Sequence, residues 1–128
     1  MVHHDDALGR LTEGSGTLLG KTAAELKAVN FRDTAERMMS LGDLCMLVAG
    51  RVPLVIEVKS HFDGDRRLVA RTAEVLSGYS GPAAAMSFDP DQVLALRPHI
   101  PDRPPGLIPQ ANHDAAHRRK LTPAHPPR

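Results

Sequence analysis

Pro53-Leu54-Val55-Ile56-Glu57-Val58-Lys59 is a β-branched run of the length of a buried strand, with proline at its first position, where a missing N–H does least harm. From Asp65 to Tyr79 the apolar spacing changes to that of a helix, with Leu68, Val69, Thr72, Val75, Leu76 and Tyr79 on one side and Gly78 and Gly81 as stops. Residues 83–88 (AAAMSF) form a second apolar run. Asp89-Pro90 then supplies an N-cap and a proline at the first helical position, for a helix that carries Val93, Leu94 and Leu96 inward. Gly106-Leu107-Ile108 has the composition of one more short strand. Strands and helices in this alternating order predict parallel βαβ units, hence an α/β fold.

Upstream of the first strand, residues 9–21 (GRLTEGSGTLLGK) are rich in Gly, Ser and Thr and read as a loop. Thr22-Ala23-Ala24-Glu25 has the spacing of a capping box and predicts a short helix to about Asn30. Ser40-Leu41-Gly42-Asp43 opens a second helix, with Leu41, Leu44, Cys45 and Val48 on one face and Gly50 behind it. Past residue 110 the composition shifts: residues 111–128 read as a short polar helix and a Pro-rich tail, against a folded domain over 1–110.

Composition sets bounds on partners. The chain has 128 residues, too few for a complete eight-stranded barrel of roughly 250. Its 16 basic and 15 acidic residues create no broad field for nucleic acid or anionic membrane, and no aromatic-interleaved basic face is present. Cys45 is the single cysteine, so no internal disulfide or thiolate cluster forms, and its apolar neighbours predict a core thiol. There is no basic-then-apolar N-terminal segment and no membrane-span-length apolar run, so the chain as written reads as cytoplasmic.

Three residues stand out for chemistry. Side chains alternate along a strand, so Glu57 and Lys59 share a face at its C-terminal end, where parallel α/β folds place their sites. Charges in so apolar a run call for a metal, a phosphate or a partner, or they neutralise one another at the strand end. His4 follows what reads as a strand end and precedes the glycine-rich loop. An imidazole there suits proton exchange near neutrality, or is one of two solvated histidines with His3. His113 and His117 lie one helical turn apart, a zinc spacing, but Asp114 stands where the metalloprotease pattern needs Glu, and no third ligand is near.

Together, VHHDDALGRLTEGSG, TAAELKAV, SLGDL, PLVIEVKS, GPAAAMSFDPDQVLALR and DRPPGL resemble, in order and spacing from Val2 to about Ile108, the glycerophosphodiester phosphodiesterases. The most specific parts are His-Asp-x-x-Leu-x-Arg-x-Thr from His4 to Thr12 and the strand motif Glu57-x-Lys59. The resemblance implies a partial TIM (β/α)8 barrel, roughly strands three to six with intervening helices. It implies that His4 is one of two acid/base histidines, that Glu57 is a ligand of a divalent cation (Mg²⁺ or Ca²⁺), and that Lys59 lies beside the phosphate. The reaction implied is metal-assisted hydrolysis of a glycerophosphodiester to glycerol 3-phosphate and an alcohol. The family's His-Arg-Gly, Glu-Asn and Glu-x-Asp segments, which hold the other histidine and further metal ligands, precede the His-Asp motif and have no counterpart in this sequence. The expectation is therefore a truncated barrel segment, inactive by itself, that binds the cation weakly and associates with itself through open barrel edges. The alternative reading is a non-catalytic partner-binding segment or a remnant.

Overall fold

Thr22 and Ser40 each open a helix in the computed structural model, which describes residues 1–109. At α1, Ala23–Ala28, the Thr22 hydroxyl accepts from the Glu25 N–H while the Glu25 carboxylate accepts from the Thr22 N–H. Ser40 and Asp43 repeat this at α2, Leu41–Val48. These reciprocal bonds satisfy N–H groups that a helix leaves without partners, each cap contributing about 1 kcal/mol. Ala49, at φ 48°, ends α2 in the left-handed region. These helices belong to a first unit, Met1–Ala49, whose small core is Leu8, Leu26 and Met38, with Met1, Leu18, Val29 and Phe31 packed against it. Cys45 is buried, as its apolar neighbours predict. The strand end expected before His4 is absent: Met1 to His3 form no strand, and Val2 makes one backbone bond of 2.9 Å, to the Met39 carbonyl.

The second unit begins at Gly50. It holds β1 (Leu54–Glu57), α3 (Arg67–Ser77), β2 (Ala83–Ser87), α4 (Pro90–Leu96) and β3 (Pro105–Leu107). The three strands form a parallel sheet in the order β1-β2-β3, with Glu57 opposite Met86 and Met86 opposite Gly106. This is the α/β alternation that the sequence predicts. One face of the sheet carries Val58, Ala85 and Ser87, all buried; the other carries Val55, Glu57, Ala84 and Met86, of which Val55 is 66% exposed. The buried strand expected over 53–59 is thus an edge strand, half-buried at most within Leu54–Glu57, because among the described residues it has one neighbouring strand.

In α3 the buried positions are Val69, Thr72, Ala73 and Leu76, an i, i+3, i+4, i+7 stripe, and in α4 they include Gln92, Val93 and Leu96. Leu68 and Leu94 were expected on the inner faces and are instead 48% and 52% exposed. Each lies next to a buried valine, about 100° around the helix, and so falls outside the stripe. Between α3 and β2, Arg103 donates to the carbonyls of Leu76, Tyr79 and Gly81, capping the chain where it leaves the helix. Among the described residues no helix is long and apolar enough to cross a membrane. The helix and tail expected over 111–128, with His113 and His117, lie outside the described residues.

Candidate functional site

In the first unit, the loop after His4 is built to return on itself. Gly9 sits at φ 124°, a region that side chains avoid. Its N–H donates to the fully buried Thr12 hydroxyl at 3.1 Å, and its carbonyl accepts from Arg32 Nε at 2.7 Å. The turn brings Arg10 against Asp5 with two parallel bonds, Nε to Oδ2 at 2.8 Å and Nη2 to Oδ1 at 2.7 Å. Asp5 Oδ1 also lies 2.8 Å from His4 Nδ1. The Arg10 guanidinium first, and the His4 contact second, hold the Asp5 carboxyl well below the usual carboxylate range. The same carboxylate raises Arg10 in return.

The two adjacent histidines have separate fates. His3 stacks on Phe31 with ring centroids 6.1 Å apart, and its Nε2 is buried without a hydrogen-bond partner. His4 has a side chain 73% exposed. Of the pair, His4 is the more exposed imidazole.

In the second unit, Glu57 and Lys59 meet at the C-terminal end of β1, as the strand's alternation predicts. Lys59 Nζ is 2.8 Å from Glu57 Oε1, in side chains 35% and 29% exposed. The contact attracts as an ion pair without hydrogen-bond alignment, and this carboxylate oxygen is shielded from solvent. The Lys59 ammonium already neutralises this oxygen, so a hard cation such as Mg²⁺ or Ca²⁺ would take it only by displacing the lysine. Among the described residues no group of three His, Cys, Asp or Glu side chains converges to complete such a site.

A polar staple missed by the sequence reading fixes the loops that follow β1 and β2. Ser60 Oγ donates to Asp89 Oδ2 at 2.5 Å, and Ser87 Oγ donates to the Val58 carbonyl at 2.8 Å. Asp89, 3% exposed, also accepts from the Asp91 N–H at 2.9 Å, while its own N–H donates to Ser87 Oγ at 3.1 Å. The sequence marks Asp89 only as a helix cap. The signal for the rest is the pair of serines at the ends of two apolar runs, where an unpartnered hydroxyl would be costly to bury.

No protein-family model and no curated protein matches the chain. Among solved structures, a phosphodiesterase from Oleispira antarctica, determined in complex with the product sn-glycerol-3-phosphate, matches with a TM-score of 0.78 at 23% sequence identity. The fold is similar to that of a TIM-barrel phosphodiesterase. The match covers 91% of this chain and 51% of the phosphodiesterase, so the chain spans about half the length of the protein it matches. The backbone match thus falls on the kind of enzyme that the His4–Thr12 and Glu57-x-Lys59 motifs resemble. Within this chain, Glu57 and Lys59 meet at one strand end, while His4 belongs to the other unit.

Proposed function

We propose that the chain carries part of the machinery of metal-assisted glycerophosphodiester hydrolysis, which yields glycerol 3-phosphate and an alcohol, and that its sheet is a segment of a (β/α)8 barrel. The observation that carries this reading is the Glu57–Lys59 pair at the C-terminal end of a parallel strand, with a carboxylate oxygen shielded from solvent. The structural likeness to a phosphodiesterase supports it.

The roles follow from the side chains. The Lys59 ammonium would offset phosphate charge. Glu57 would be one oxygen ligand of a divalent cation, and a bound cation supplies charge withdrawal at a phosphoryl oxygen. His4, whose side chain is 73% exposed, would take or return a proton at Nε2. With a single carboxylate at β1, cation affinity should be poor, with a Kd weaker than about 1 mM. Turnover by the 128-residue chain should then fall orders of magnitude below that of a complete enzyme.

Titration with sn-glycerol-3-phosphate, followed by the ³¹P resonance of the ligand, tests the reading. The ligand should bind, more tightly with Mg²⁺ or Ca²⁺ present, and Lys59→Met should abolish the perturbation, while Glu57→Gln should remove only the cation dependence. Binding that ignores Lys59→Met, or no binding at millimolar ligand, would reject it.

A further inference from the structure

Asp5 and Arg10 belong to the most specific motif of the chain, yet the functional reading above gives neither a role. Their geometry supplies one. Ionised carboxylates only accept hydrogen bonds, so a carboxylate oxygen 2.8 Å from His4 Nδ1 requires that nitrogen to carry the proton. Arg10 makes the requirement firm in two ways. Its two parallel bonds fix the plane of the carboxylate, and its charge holds the carboxyl below the usual range, so that it stays ionised further into acid. Arg10 is itself placed by the turn at Gly9, which the buried Thr12 hydroxyl and Arg32 hold. The chain from backbone to imidazole is continuous: Gly9 turn, Arg10, Asp5, His4.

We propose that Asp5 and Arg10 are positioning residues that fix His4 as the Nδ1–H tautomer, with Nε2 left as its proton-exchanging atom. The inference rests on the role given to His4 above, but its geometry does not. An exposed neutral imidazole without such a partner favours the Nε2–H form, in which the outward nitrogen already holds a proton and cannot accept one. The Asp5–Arg10 pair reverses that preference, so His4 begins as an acceptor at Nε2 and becomes a donor after taking a proton. A free side chain would reach the same state only part of the time. The bidentate guanidinium also explains why lysine would be a poor substitute at Arg10: a point charge leaves the carboxylate free to rotate.

The test reads the tautomer directly in the full chain. With ¹⁵N-labelled histidine, two-bond ¹H–¹⁵N correlations at about pH 8.5, where an ordinary imidazole is neutral, show which ring nitrogen is protonated. The His4 pattern is identified by its loss in His4→Gln. In the unsubstituted chain His4 should show the Nδ1–H pattern; in Asp5→Ala the two nitrogen resonances should exchange character, to Nε2–H. Arg10→Lys should give an averaged pattern between the two, and Asp5→Asn, which keeps an acceptor oxygen but loses the ionic clamp, should do the same. Methyl resonances of Leu8, Leu26 and Met38 report whether each variant keeps the core of its unit. His4 found as Nε2–H in the unsubstituted chain would overturn the proposal outright, as would an Asp5→Ala variant with an intact core and an unchanged tautomer. A correct tautomer together with no binding of sn-glycerol-3-phosphate would leave the wiring in place and reject the phosphodiesterase reading alone.

Discussion

Lys27 Nζ lies 2.7 Å from Asp43 Oδ2, and the Ser40 N–H donates to the same oxygen at 3.1 Å. The lysine first and the Ser40 bonds second lower the Asp43 carboxyl from 3.8 to about 2. In the other unit, the side chain and then the N–H of Arg67 bring Asp65 from 3.8 to about 2. A carboxylate whose pKa is lower folded than unfolded contributes stability that is complete above the unfolded value and is lost as pH falls through the folded one. Stability should therefore stay level from neutrality down to about pH 5 and decline from about pH 4 to pH 2. Urea midpoints measured across that range check this. Lys27→Met should make the acid decline shallower, and an unchanged slope would show that the Asp43 pair does not couple to folding. The same scale shows what single residues reveal in sequence. Asp43 and Glu25 were legible as caps because capping is local, whereas the division of labour between His3 and His4 was not. It depends on Phe31, distant in sequence, being present to stack on His3.

Among the elements, α3 separates pattern from placement. Its helical period was plain from Asp65 to Tyr79, and the observed Arg67–Ser77 keeps it. The period permits a broad apolar side, however, and only packing decides which part of it is covered. Leu76 is fully buried and Leu68 is 48% exposed. Leu76→Ala should cost about 2–5 kcal/mol through lost burial and the cavity left behind, while Leu68→Ala should change stability by less than about 0.5 kcal/mol. Chemical denaturation of both variants decides it, and comparable losses would mean that Leu68 is covered in solution. The strands teach the same lesson. The runs at 53–59 and 83–88 were recognisable from composition and were placed to within a few residues. That Val55 faces outward while Ala85 is fully buried follows from sheet order, which no single run encodes. At the candidate site, Glu57 and Lys59 were found because strand alternation is a local rule. The Ser60–Asp89 bond was not, because it joins residues 29 apart across two crossover loops.

At the scale of the whole molecule, β1 is an edge strand of the sheet that the described residues form. Leu54 and Val58 direct their N–H groups to the carbonyls of Pro82 and Met86, so by alternation the N–H groups of Val55 and Glu57 turn away from β2. A parallel edge of this kind is a template for another strand, and here it is flanked by an apolar side chain, Val55, that is 66% exposed. We propose that a second copy of this chain pairs along β1. A closed barrel is the arrangement that leaves no edge unpaired, whereas the three-stranded sheet of the described residues is open at β1. Val55→Lys is the discriminating variant, because it places a charge on the edge without removing any hydrogen bond to β2. Sedimentation velocity over the micromolar range should show a concentration-dependent dimer for the unsubstituted chain and an association at least about tenfold weaker for Val55→Lys, a loss of roughly 1.4 kcal/mol. A chain that sediments as a monomer throughout would reject edge pairing. Equal association of the two proteins would place the interface elsewhere.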